Sequence, residues 1–550
     1  MNIRTLLSIG CVSLLLTPQA VRGDKVKELQ TAAVQSKQAS WGHWGPAPDR
    51  YSSWTSHSNR LIPVYTFGIT LEGYRGEKSA YRRAERLQEI FGRVPEATLN
   101  PAAEYCDQTD IYRLQLEAAA AGKKYIILFV FDGMDWQTTW AAAIHRAGRV
   151  AYREGRGTGL AFQDYAGTVT DFGYFVSSPY AKGTDGDVNA QTFPDARDGD
   201  LGGYDPNLGG PAPWSIPTDP AYPIGQSRQR RHAVTDSSSS ATSLTAGIKT
   251  YNAAVNVDHR GQQVVPIART LQERGLAVGV VTSVPVSHAT PAAAYGNNVD
   301  RDDYQDLSRD LLGLPSVSHR DLPLPGVDVL IGAGWGVTAE NDTKQGANYV
   351  PGNRYIADPD LERVDIARGG RYRVSQRTAG QNGGEILAAA AEQAAQGRQR
   401  LLGFFGATGS LAGGHLPFAT ADGGYDPAPG NLGKAEVYSE ADLRENPTLA
   451  DMTRAALRVL ETDPEGFWLM VEPGDVDWAN HDNNVDNSLG AVYCGDAAFQ
   501  AVAEWAAAKG VWDQTAVILT ADHGHYLVLD QPEILAGEPV PASGLPAAER

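Results

Sequence analysis

The residues of this chain best suited to chemistry lie in four short stretches. In the first, Asp236-Ser237 precedes three further serines, and Ala241, Leu244 and Ile248 follow at helical spacing, so the run starts a helix and is not a linker. A serine on the first helical turn meets free backbone N–H groups and the positive end of the helix dipole, a setting for phosphate; the plain alternative is an Asp/Ser N-cap. In the other three stretches an apolar run empties into acids and histidines. Residues 125–131 lead to Asp132-Gly133, residues 467–471 to Glu472, Asp475, Asp477 and His481, and residues 516–521 to Asp522-His523. Any one such acid could simply cap a helix or face water. Together they supply the mixed oxygen and nitrogen donors that suit zinc or a similar divalent ion, without which clustered carboxylates would repel one another.

These groups need elements that deliver them to one place. Continuous apolar runs read as buried parallel strands, and open α/β sheets bind ligands at the carboxyl ends of their strands. Helical spacing over residues 265–271, then the apolar run 278–281 leading to His288, continues the alternation. The expected fold class is therefore α/β, with a large, mainly parallel central sheet between helix layers. Residues 183–226 and 413–433, rich in Gly, Pro and Asp, read as long surface insertions. Gly332-Ala333-Gly334-Trp335-Gly336 reads as a tight turn after a strand at 327–331 and not as a nucleotide-binding loop. Residues 41–46 look irregular and 80–91 helical, and no internal repeat is evident. The expected division is a signal peptide over 1–23, an N-terminal extension over 24–122 whose role the sequence does not give, and a catalytic domain over 123–550.

From about Lys124 to His525 the chain resembles the alkaline phosphatases. The Asp236-Ser237 run, with its helix closing at Gly247-Ile248-Lys249-Thr250, is similar to the family's nucleophile motif and puts Ser237 in the serine position. Asp132 matches the aspartate that bridges two metals. The resemblance implies a first zinc on Asp477 and His481 and a second on Asp132, Asp522 and His523. It implies a third ion, magnesium, on Asp132, Glu472 and the segment 287–293, where Thr290 matches a hydroxyl ligand and His288 is a further metal residue. Arg301 falls where the family keeps a phosphate-clamping arginine; the plain alternative is a surface arginine in the charged run 300–303.

The chain departs from the family pattern in three places. His288 stands where many bacterial members carry an aspartate, and Trp478 where they carry a lysine. A nitrogen donor in place of a hard oxygen makes cobalt, or partial occupancy, the alternative at the third site. The family also places a further histidine on the first zinc, some tens of residues past the Asp-His pair. Only 27 residues follow His523, and His525 is the sole histidine among them. Either the chain continues beyond Arg550 or another group fills the place. His525, so close to His523, reads as a residue behind the ligands or facing solvent. His415 in its Gly-rich loop is the stand-in, against the plain reading of a loop histidine. With Asp477 and His481 alone, the first zinc would have two protein ligands where catalytic zinc has three.

The activity implied by the resemblance is metal-dependent hydrolysis of phosphate monoesters through a phosphoserine, with two Zn2+ and one Mg2+. Monoester hydrolysis is so slow uncatalysed that its enzymes approach ~10²¹-fold acceleration, and charge neutralisation must supply most of that. Two metals about 4 Å apart can clamp the attacking and leaving oxygens, which removes the need for a histidine base beside Ser237. The planar fork of Arg301 suits two nonbridging phosphate oxygens. The rivals are a phosphodiesterase or sulfatase of the same superfamily, which generally lack the Glu472 and Thr290 set, and a secreted phosphate- or metal-binding protein without catalysis.

Composition agrees with a secreted enzyme. Met1-Asn2-Ile3-Arg4 and the apolar residues through Leu16 read as a signal peptide cut near Ala20 or Gly23, too short to span a bilayer. Lipidation at Cys11 is the lesser reading, because the apolar core continues past it. The expected location is the periplasm or the cell exterior, and no later stretch is long and apolar enough for a transmembrane helix. Removing residues 1–23, which carry Arg4 and Arg22 and no acid, takes the net charge from −18 to −20. That balance argues against nucleic acid or anionic membrane as a partner. Small phosphate monoesters are the expected partners and a homodimer the expected assembly. Cys106 and Cys494 leave a disulfide open.

Overall fold

The computed structural model describes residues 25–183, 185–194, 201–408 and 413–537; the expected signal peptide and Cys11 lie outside them. Its centre is a ten-stranded sheet. In chain order the strands are β1 (Ile62–Phe67), β2 (Cys106–Asp107), β3 (Tyr125–Val130), β4 (Thr170–Val176), β5 (Ala277–Pro285), β6 (Val329–Ala333), β7 (Tyr372–Gln376), β8 (Arg400–Phe404), β9 (Phe467–Glu472) and β10 (Thr515–Thr520). Across the sheet they run β7-β8-β6-β5-β9-β3-β10-β1-β4-β2. Seven of the nine pairings are parallel, as the unbroken apolar runs predict; β1 alone runs against its neighbours β10 and β4.

The three strands that end in acids, β9, β3 and β10, lie side by side at the centre and are buried almost throughout. Each Leu, Ile, Val or Phe withdrawn from water there contributes about 1.5–3 kcal/mol, so the strand ends cannot shift without cost to the core. Helix Leu449–Leu460 packs against β5 and β6 and beside Gly383–Gly397 and Val485–Lys509. Helix Ser237–Ala246 packs on Ala289–Ala293 and Asp110–Ala120.

The residues before Lys123 are woven into this core. β1 pairs with β10 from Val517↔Phe67 to Thr520↔Val64, and Gly42–Trp44 pairs with Leu527–Leu529. Arg60 donates to Asp135 at 3.1 Å and to the Leu527 carbonyl at 2.6 Å. Because β1 is antiparallel to β10, its amino end lies at the edge where the parallel strands have their carboxyl ends. The helix expected over 80–91 divides into a short turn, Ala80–Arg82, and a helix, Ala84–Phe91. The expected glycine turn after β6 is present, and the Gly334 N–H is spent on the Gly414 carbonyl at 2.7 Å. Cys106 and Cys494 are both free thiols and do not pair.

Candidate active site

The helix at Ser237 starts where the spacing predicts, capped by Asp236, whose carboxylate accepts from Ser239 N at 3.0 Å, Ala253 N at 2.9 Å and Ser238 Oγ at 2.8 Å. Ser237 Oγ lies 3.3 Å from His523 Nε2 and 3.5 Å from Asp132 Oδ1. Its neighbours are engaged elsewhere: Ser239 Oγ with Thr235 and Asn252, and Ser240 Oγ with the Asp522 carbonyl. Of the four serines, Ser237 is the one whose hydroxyl meets Asp132 and His523. Arg301 reaches Asp236 at 3.2 Å and His288 Nε2 at 3.3 Å. Burial works against its charge, but Asp236, Tyr304, Asp302 and Asp132 hold it protonated.

Asp132, Asp522 and His523 offer donor atoms that all lie within 4.8 Å of one another. His523 Nε2 sits 3.2 Å from Asp132, 3.5 Å from Asp522 and 3.8 Å from Asp477. Beside them, Thr290 Oγ1 lies 3.4 Å from Asp132 Oδ2, and Glu472 accepts from Thr282. Burial and then the Asp132 charge push the Glu472 and Asp522 carboxyls well above their ordinary range. Burial would lower His523, but Asp522 and Asp132 raise it to about 10. The buried atoms Glu472 Oε1, Asp522 Oδ2 and His288 Nδ1 have no hydrogen-bond partner. Crowded acids and orphaned donors of this kind fit divalent cations.

The second group brings further donors to the first zinc expected on Asp477 and His481. His57, Asp477, His523 and His525 offer donor atoms within 4.8 Å of one another. His57 Nε2 lies 3.0 Å from His481 Nε2 and 3.6 Å from Asp477, and His481 Nε2 lies 3.5 Å from Asp477. His57 Nδ1 donates to the Thr235 carbonyl at 3.0 Å and His481 Nδ1 to the Thr55 carbonyl at 2.7 Å. Backbone acceptors thus fix both tautomers and leave both Nε2 lone pairs facing one point, which suits a cation between them. Burial, then the neighbouring His523, drives the His57 pKa down and keeps its ring neutral.

Of the two places expected for His525, behind the ligands or facing solvent, the structure shows a buried one, with Nε2 2.8 Å from Asp477. Its approach needs Gly133, at φ 74°, where a Cβ would lie 2.9 Å from the His525 ring and 3.0 Å from Asp477 Cα. His415 belongs to neither donor group: its ring stacks on Phe418 at 3.6 Å, Nδ1 meets the Leu416 carbonyl and Nε2 lies 3.6 Å from Glu436. Sequence reasoning missed His57 and Thr282. His57 carries the signal used for the other ligands, a donor beside an apolar strand, but at the strand's amino side and ahead of the first acid.

Buried acids and histidines thus gather at the carboxyl edge of a mostly parallel sheet, beside a serine on the first turn of a helix and a charged arginine. The alkaline phosphatase family profile matches residues 218–541, more than half of the chain, and the protein belongs to that family. It is 32% identical over 316 residues to alkaline phosphatase H of Pseudomonas aeruginosa (strain UCBPP-PA14), covering 55% of this chain and 60% of that one. It is 28% identical over 334 residues to the alkaline phosphatase of Escherichia coli (strain K12), covering 57% and 63%. The crystal structure of Thermus thermophilus alkaline phosphatase is similar with a TM-score of 0.43 at 21% identity, over 73% of this chain and 60% of that one. The chain spans about half to three-fifths of the length of these curated relatives. Asp132 and His57 lie outside the span matched by the family profile and reach the site through the sheet.

Proposed function

We propose that this protein hydrolyses phosphate monoesters to an alcohol and inorganic phosphate through a phosphoserine at Ser237. The observation that carries the reading is the position of Ser237 Oγ, on the first turn of its helix and 3.3 Å from the histidine shared by both donor groups. Asp132, Asp522 and His523 would hold one zinc, and Asp477 and His481, joined by His57 and His525, the other. Glu472, Thr290 and Asp132, with His288 nearby, would hold magnesium, or cobalt because of the nitrogen donor. When bound, the ions supply the positive charge that favours the serine alkoxide and the departing alkoxide.

Ser237 Oγ attacks phosphorus in line as its proton passes to solvent, the bond from phosphorus to the alcohol oxygen breaks and that oxygen takes a proton from solvent, and water then cleaves the phosphoserine to release phosphate and restore the serine. Asp236 fixes both the start of the helix and Arg301, whose guanidinium would hold nonbridging phosphate oxygens. Thr282 orients Glu472 for its ion. The orphaned Glu472 Oε1 beside Thr290 favours a monoesterase over a diesterase or sulfatase. A periplasmic or secreted location is supported by residues 1–16, and no described helix is long and apolar enough to cross a membrane; a homodimer is the assembly we infer from the family.

Turnover of a phosphate monoester should far exceed that of a diester or a sulfate ester. Labelled phosphate trapped at low pH should map to Ser237. No incorporation together with no monoester turnover would overturn the reading.

A further inference from the structure

Beside the metal groups the insertion expected over residues 413–433 forms one wall of a cavity of about 460 Å³, a size typical of small-molecule sites. Phe418, Leu432, Trp478 and Ala479 form its apolar part, polar and charged residues including Lys434, Glu436 and Asn487 the rest, and it reaches His481. The wall is anchored rather than loose. Asn431 N donates to the Asp482 carbonyl at 2.7 Å, and Gly430 packs so closely on the Asp482 carboxylate that a Cβ there would lie 1.5 Å from an oxygen. Phe418 and Trp478 meet edge to face at 6.4 Å. Leu432 is 82% exposed, an apolar side chain held in water at the cavity's rim.

The cavity meets the proposed site at His481. Ser237 Oγ contacts Asp132 and His523, so in an in-line displacement the alcohol leaves toward Asp477, His57 and His481. Of the side chains there, His481 is the most open, 39% exposed against 5% for Asp477 and 14% for His57. An alcohol leaving past His481 enters the cavity. The apolar part of this lining, Phe418, Leu432 and Trp478, gains more from a flat ring than from a small polyol.

We propose that this cavity holds the leaving group and selects monoesters whose alcohol carries a planar aromatic ring. The inference rests on the monoesterase reading above. Adenosine 5′-monophosphate and ribose 5-phosphate share the same primary alkoxide leaving group, so they differ at the ring and not in the chemistry. The expected kcat/KM ratio favours the nucleotide by at least tenfold, and Leu432→Asp, at an exposed position that does not threaten folding, should bring it close to one. Phenylphosphonate should correspondingly inhibit more tightly than methylphosphonate. Equal kcat/KM for the two substrates, or a preference untouched by Leu432→Asp and Phe418→Ala alike, overturns the pocket assignment alone. No hydrolysis of either compound overturns the monoesterase reading and the pocket with it.

Discussion

The Nε2 atoms of His57 and His481 face each other at 3.0 Å across 424 residues of sequence, each ring turned by a backbone carbonyl that takes its Nδ1 proton. Two lone pairs held at that distance repel unless a cation lies between them. His57→Ala should therefore weaken binding of one zinc by more than roughly tenfold, since even outer-sphere partners of metal ligands are worth 10–100-fold. Zinc titration against a competing chelator measures this. His415→Ala should leave both zinc affinities where they were, and a loss there would reinstate His415 as a ligand.

Ser237→Ala should abolish phosphoserine formation and lower kcat by on the order of 10³-fold or more, as removal of a covalent nucleophile does. The two zinc sites should still fill. Ser238→Ala should cost far less, because the Ser238 hydroxyl is turned onto Asp236 at 2.8 Å. Label recovered on Ser238 would refute the assignment.

How far the site could be read from the chain follows from which way each strand runs. Asp132, Glu472 and Asp522 sit at or just past the carboxyl ends of β3, β9 and β10, and a buried parallel strand announces itself as an unbroken apolar run. Ser237 was legible because an Asp-Ser pair at the start of a helix has a local physical cause. His57 was not, because it precedes its strand, and only the antiparallel insertion of β1 between β10 and β4 turns that amino end toward the acids. That pairing is long-range, and no periodicity within residues 55–67 encodes it. His525 escaped for a different reason: its burial depends on the space left at Gly133 by a missing Cβ.

Arg301→Ala should raise the phosphate inhibition constant and KM more than it lowers kcat, because the role proposed for the guanidinium is to hold phosphate and not to react. Arg301→Lys should recover only part of the binding, since one ammonium cannot replace a two-pronged fork. The salt link to Asp236 at 3.2 Å adds a second consequence. In the Ala variant the cap loses its counter-charge, so its thermal unfolding should fall by a few degrees. An unchanged phosphate inhibition constant removes Arg301 from the site.

Thr282→Val keeps the side chain's shape and removes the hydroxyl that donates to Glu472. The buried carboxylate, already crowded by Asp132, would then lose a donor that orients it. Magnesium affinity should drop about 10–100-fold while the zinc sites stay filled, and excess magnesium should restore the rate. A variant that needs no more magnesium than the parent would show that Thr282 merely fills space.

The strap that carries His57 has its own pH limit. Asn59, two residues on, donates Nδ2 to His232 Nε2 at 2.9 Å and accepts from Thr235 N at 3.2 Å, tying the strap to the residues just ahead of Ser237. His232 is buried, stacked on Tyr222 at 4.4 Å, and burial lowers its pKa to about 3. The folded chain thus resists taking a proton there until near pH 3, whereas the unfolded chain takes one near pH 6.5. Stability from this group is fully present above pH 6.5 and is lost as pH falls from 6.5 toward 3, by up to on the order of 5 kcal/mol. A proton on Nε2 would also set two donors against each other at Asn59. His232→Gln keeps an acceptor for Asn59 and cannot titrate, so its acid unfolding midpoint should move to lower pH than the parent's while stability near pH 8 changes little. Coincident acid unfolding curves for the two proteins would show that His232 is not the group that releases the strap.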